Sequence, residues 1–227
     1  MKEIDKKTMI VTVIVCMLPM IAGAVLYNRL PEQVAVHFGV NNQPDRYAHK
    51  VIAAFGIPLF LAALQIFCCV ISDIRIKRYV GEAQGIEGAE DIEEVKGRKP
   101  RFVFIVKWVI PAISVLVNTV VLVLAAGGSV DIRRWICLLL GVIFIIMGNY
   151  MPKMSYEYAR GLFHPTPKDE KTYRKLLRMF GYTFVTAGLL FILGIFFKPI
   201  FSVVIVCGVL LIVTAEGIWS MVRRYDK

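Results

Sequence analysis

Six apolar runs dominate this sequence: residues 8–27, 51–72, 102–126, 135–151, 180–197 and 199–220. An α-helix rises about 1.5 Å per residue, so about 20 residues cover the roughly 30 Å hydrocarbon layer of a bilayer. The fourth and fifth runs lie near the short end of that range. Only Lys198 separates the last two runs, which predicts a tight helical hairpin. Backbone polar groups in lipid have to bond within the protein, so only helices and closed barrels span it. The alternating ten-residue segments of a barrel strand are absent. The expected fold is therefore all-α, a single polytopic membrane domain over residues 1–227 with six transmembrane helices.

Composition agrees. Of 227 residues, 57% are apolar and 19% charged, where soluble domains average about 45–50% and about 25%. This excludes an ordinary soluble enzyme, and also a disordered chain, which needs low hydrophobicity. A net charge of +10 on a soluble protein points to nucleic acid; here its distribution decides. Of 27 Lys+Arg, 20 fall in the N-terminal tail, loops 73–101 and 152–179 and the C-terminal tail, six in the other loops, and one, Lys107, in a run. Cytoplasmic loops carry the excess of cations, so both termini and loops 73–101 and 152–179 are expected in the cytoplasm, with loop 28–50 outside. Lys2, Lys6 and Lys7 precede the first run as in a signal peptide, but the run is long enough to span and no clear cleavage site follows. The five cysteines all lie in apolar runs, an odd count without metal-ligand spacing, and read as small membrane-core residues.

Loop 28–50 is expected to be ordered. Residues 33–38 alternate toward a short strand, and Asn41-Asn42-Gln43-Pro44-Asp45 is turn chemistry. Pro19 and Pro58, on the two helices that this loop joins, and Pro111 each remove a helical hydrogen bond. A splayed outer vestibule under the loop is one reading of Pro19 and Pro58; packing kinks are the plainer one.

Two motifs carry a resemblance. Leu30, Pro31, Val36, His37, Phe38, Pro44, Asp45 and Lys50 look like the short domain of unknown function found beside SdpI-type bacteriocin immunity proteins, with Asn42 where that family usually has glycine. Gly148-Asn-Tyr-Met-Pro-Lys153, then Gly161, Pro165, Tyr173, Arg174, Arg178 and Gly181, resemble the second signature. Here the chain departs at His164, Thr166, Tyr173 and Leu177, where the family usually has threonine, tryptophan, tryptophan and histidine. The resemblance covers roughly residues 18–72 and 139–213. It implies a protein of the bacterial plasma membrane that protects its cell from a secreted toxic peptide and, as in the best-known branch, holds a small cytoplasmic repressor at the membrane when the toxin is present. Expected outer contacts are His37, Asn41, Asp45, Arg46 and Lys50. Expected inner partner contacts are Lys153, Gly161, Pro165, Arg174 and Arg178.

Ionisable groups within membrane spans cost a few kcal/mol and are functional candidates by default. Lys107 and Glu216 qualify, and with Asn149 they fall about 10 Å to the cytoplasmic side of midplane by rise per residue, Gln65 a little shallower. A Lys107–Glu216 contact with Asn149 nearby is expected, as a ligand, proton or coupling site. Snorkelling and interhelical packing are the plainer alternatives. In loop 28–50, Glu32, His37, Asp45 and His49 are zinc-capable side chains, but their spacing fits no zinc pattern and no metal is expected.

Loop 73–101 has an acidic stretch, Glu82 to Glu94, followed by Lys96, Arg98, Lys99 and Arg101. Residues 168–178 are basic and amphipathic, expected to lie on anionic lipid heads or to dock a cytoplasmic partner. Nucleotide-binding, zinc-protease and serine-hydrolase motifs are absent, so neither an enzyme nor a cofactor is expected. The leading expectation is a peptide-immunity protein. The alternative is a small-solute or lipid transporter using the inner polar layer, and the third a metal-dependent membrane enzyme.

Overall fold

The structure is a computed structural model that describes residues 6–39, 43–83, 101–154, 170–197, 201, 204–209 and 211–216. It is mostly helical. Five helices are long and apolar enough to cross a membrane: Lys6–Arg29, Ile52–Ile74, Phe104–Ala125, Ile132–Lys153 and Glu170–Gly194. They are called spans one to five below. The last apolar run gives a shorter helix, Val204–Glu216. Large apolar side chains such as Val25, Phe60, Phe67 and Leu193 point away from the protein, the arrangement a lipid solvent favours.

Two helices outrun their apolar stretches. The second continues as Ile57–Ala83, so Asp73, expected to open a loop, is helical. The fifth begins at Glu170, so residues 170–179, expected to belong to a loop, are helical too. The reason is that hydropathy ends where Lys, Arg and Glu begin, whereas helix propensity does not.

The prolines are accommodated locally. Pro19 interrupts span one, splitting it into Lys6–Met17 and Pro19–Leu26. The carbonyl of Val15, four residues before Pro19, accepts from Leu18 N at 3.2 Å instead, and Ser114 Oγ of span three donates to the carbonyl of Cys16 at 2.7 Å. Spans two and three each contain a wide π-type turn, Ile52–Gly56 and Ser114–Asn118. Among the described residues, spans one and two pack closely at the level of Gly23. A Cβ on Gly23 would stand 2.9 Å from the Ala54 Cβ and 3.0 Å from its carbonyl oxygen, so glycine permits the backbones to meet there. Leu30, Val34, Ala53, Ala54, Val121, Leu122 and Ile132 fill the space beneath the outer loop as one apolar cluster. The kinks serve packing.

Spans four and five pack antiparallel through four glycines. Gly141 faces Gly188, and Gly148 faces Gly181, each so closely that an added Cβ would stand 2.6–2.8 Å from the other's carbonyl oxygen. Seven residues separate the glycines on each helix, two turns on one face. Phe144 contacts Phe184 and Phe191 between these pairs.

Candidate functional site

The outer loop forms an antiparallel hairpin. Its strands are β1 (Gln33–Phe38) and β2 (Pro44–His49), and Gly39 N donates to Gln43 O at 2.8 Å across its tip. Val34 is fully buried and anchors the hairpin on the apolar cluster. β2 escaped the sequence reading because Pro-Asp-Arg-Tyr-Ala-His is exposed along almost its whole length and lacks alternation.

The sequence-selected residues pair across this hairpin. His37 Nδ1 lies 2.5 Å from Asp45 Oδ1. Lys50 Nζ donates to Glu32 Oε1 at 2.7 Å, and His49 Nε2 lies 3.2 Å from Glu32 Oε2. The hydrogen bond and the charge of Lys50 hold the Glu32 carboxyl below its ordinary range, and the same bond holds the Lys50 ammonium above its own. Lys50 also sits 5.1 Å above the Tyr27 ring, a cation–π contact. Arg46 stands opposite His37 in the register and is exposed. Asn41 lies outside the described residues. Glu32, His37, Asp45 and His49 thus separate into two pairs, and no group of three or more metal-capable side chains occurs among the described residues.

A second polar cluster lies between spans one, two and three. Lys107 Nζ donates to Asp73 Oδ1 at 2.9 Å, the two side chains being 8% and 9% exposed. Gln65, 1% exposed, donates from Nε2 to Thr12 Oγ1 at 2.9 Å and to the carbonyl of Lys107 at 2.8 Å. In a regular helix that carbonyl would accept from residue 111, which is proline and has no N–H. The side-chain amide of Gln65 therefore repairs the backbone defect of a neighbouring helix. Asp73 Oδ2 and Trp108 Nε1 are buried without a hydrogen-bond partner among the described residues.

The expected Lys107–Glu216 contact is not formed. Lys107 belongs to Asp73, while Glu216 accepts the hydroxyl of Thr183 at 2.5 Å. Asn149 is exposed and does not join either group. Asp73 was missed because it lies one residue past the apolar run. Its signal was positional: Gln65, Cys69 and Asp73 follow at four-residue steps, one helix face, and Cys69 Sγ indeed lies 3.3 Å from Gln65 Nε2.

At the other end of spans four and five, Lys153 Nζ lies 4.8 Å from the Tyr150 ring centroid, and an added Cβ on Gly181 would meet Pro152 at 2.7 Å. Arg174 pairs with Glu170 at 2.5 Å, and Arg178 is exposed. Tyr173, Leu176 and Leu177 are buried. The apolar side of this segment is thus covered by protein, and the segment forms the first turns of span five. Its apolar stripe is a packing surface within the protein. Gly161, Pro165 and His164, like the charged stretch 84–100, lie outside the described residues.

Five apolar helices and buried polar contacts between them define a multi-pass membrane protein. Residues 14–62 match the family described as Domain of unknown function (DUF1648), a stretch that takes in most of span one, the whole hairpin and the first part of span two. No curated protein and no solved structure gives a significant match to the chain.

Proposed function

We propose that this is an integral protein of the bacterial plasma membrane that protects its cell from a membrane-active peptide, which it meets at the outer hairpin. One observation carries the reading: a hairpin anchored through buried Val34 presents His37, Asp45, Arg46 and Tyr47 outward. Rigid polar and aromatic surface beside a bilayer suits a peptide partly inserted in it, because less side-chain entropy is lost on binding. The second signature in spans four and five supports assignment to the SdpI type. The reading carries six spans, the sixth around Val204–Glu216, with both termini and the loops 73–101 and 152–179 in the cytoplasm, where a small regulator would dock near Lys153, Gly161, Pro165, Arg174 and Arg178.

The test compares cells carrying the chain, cells lacking it, and cells carrying His37→Ala/Asp45→Ala/Arg46→Ala, each challenged with a panel of membrane-active peptides and culture fluids. Protection by the parent chain and loss in the triple variant are expected. Equal sensitivity of carrying and lacking cells across the panel would sink the reading.

A second reading, a transporter of small solutes or lipid, is favoured by the buried Lys107–Asp73 pair and the unpartnered Asp73 Oδ2. Solute flux in vesicles that is abolished in Asp73→Asn would support it. A metal-dependent enzyme has no comparable observation behind it.

A further inference from the structure

The two outer edges of the hairpin differ. β1 is half-buried and rests on the apolar cluster through Val34. β2 is exposed almost everywhere, and among the described residues β1 is its only partner strand. The register shows which groups its outer edge presents. Lys50 N donates to Glu32 O at 3.0 Å, so residues 32 and 50 form a hydrogen-bonded pair. Bonded and non-bonded pairs alternate along an antiparallel ladder. Val34 and Ala48 are then bonded to each other. Tyr47 and His49, opposite Ala35 and Gln33, turn their N–H and C=O groups outward. Main-chain groups spaced in this way are a template on which an extended peptide adds as a strand. Edges are commonly blunted by proline or by bulges. Here Pro44 and the register shifts lie on the tip side of Tyr47, and the pairing from Tyr47 to His49 is regular.

Two observations select the occupant. β2 ends at His49 and span two begins at Ile52, with Val51 and Ile52 exposed, so a strand laid along β2 runs onto lipid. The charge left over along the strand is positive. Asp45 is engaged by His37, and Glu32 by Lys50 and His49, while exposed Arg46 has no ion-pair partner among the described residues. A peptide with an apolar part in the bilayer and an acidic group outside it meets both conditions.

We infer, resting on the protective reading above, that the outer edge of β2 binds the membrane-active peptide as a third strand. An extended stretch of the peptide pairs with the main chain of Tyr47 and His49, and one of its acidic groups stands beside Arg46.

The panel peptide against which the parent chain protects most strongly is added to the full chain in detergent micelles. Amide exchange, resolved by NMR, slows at Tyr47 and His49 and stays unchanged at Val34 and Ala48, which are already bonded. Tyr47→Pro/His49→Pro removes the two outward donors, at positions where an edge strand tolerates proline. It lowers affinity, read by anisotropy of the labelled peptide, on the order of thirtyfold, the effect of two hydrogen bonds at about the usual net strength. Tyr47→Thr/His49→Thr keeps both N–H groups and loses distinctly less. Arg46→Gln weakens binding too, more at low salt than at high. Exchange protection at Val34 and Ala48 confirms that each variant keeps the hairpin, and the single His49→Pro serves if the double does not. Unslowed Tyr47 and His49 amides, or equal losses in the Pro and Thr variants, overturn the inference while protection stands. Tyr47 and His49 amides that are slow without peptide, increasingly so at higher protein concentration, place a second copy on the edge and overturn it as well. Protection against no panel peptide removes the protective reading itself, and the inference with it.

Discussion

Gln65 Nε2 donates to the carbonyl of Lys107, the backbone acceptor that Pro111 leaves without a helical donor. One side chain thereby joins span two to a defect in span three, and its second bond to Thr12 reaches span one. An unmet buried carbonyl costs about 1–3 kcal/mol.

Gln65→Leu should therefore destabilise by about that amount, on the order of 1–3 kcal/mol. Pro111→Ala restores a backbone N–H for the Lys107 carbonyl, so the loss should be smaller when Pro111→Ala is already present. Unfolding of the detergent-solubilised protein in a four-member mutant cycle reads the coupling. Additive losses would show that Gln65 acts only through Thr12.

The Lys107–Asp73 pair should behave as one unit. Removing one partner leaves a buried charge, which typically costs about 3–5 kcal/mol, whereas removing both can be nearly neutral. Lys107→Met and Asp73→Asn are each expected to lower the thermal midpoint, and the double variant to recover part of the loss. A double variant worse than either single would contradict a coupled pair.

Spans four and five should not tolerate side chains at their crossing. Gly188→Val would place atoms where a Cβ already stands 2.6 Å from the Gly141 carbonyl, and overpacking of this kind costs about 1–3 kcal/mol or more. Gly208→Ala meets nothing within 4 Å among the described residues and should stay within about 0.5 kcal/mol. Paired thermal melts distinguish the two sites.

The hairpin should loosen in acid. Lys50 lowers the Glu32 carboxyl below its ordinary value of 4.5, so the bond contributes fully above that value and is lost as pH falls through the lowered one. The raised Lys50 gives the mirror case: its contribution is complete below 10.5 and disappears as pH rises through its folded value. Amide exchange across β1 and β2 should speed up on acidification in the parent chain. Glu32→Gln should be faster already at neutral pH and respond less to acid; an unchanged profile would show that the hairpin is held by Val34 alone.

Membrane architecture was legible in the sequence because lipid imposes a length rule on apolar runs, and five of the six runs are helices of spanning length. The strand 33–38 was legible for a similar local reason. Asp73 was not, since hydropathy assigns it to water while helix propensity carries the backbone past it. Nor was β2, whose exposed face leaves no period to read. The basic amphipathic segment 168–178 had the right period, but a period cannot say whether lipid or protein covers the apolar side.

By itself the sequence determined which stretches are apolar, because that property depends on neighbours in the chain and on solvent. Only the tertiary structure decided that Lys107 belongs to Asp73 and not to Glu216, that Gln65 completes a carbonyl bared by Pro111, and that Gly141 and Gly148 serve Gly188 and Gly181 of the same chain. Each of those pairings depends on how helices rotate about their axes and slide past one another. Those quantities are fixed by close packing between elements distant in sequence, and no local pattern encodes them.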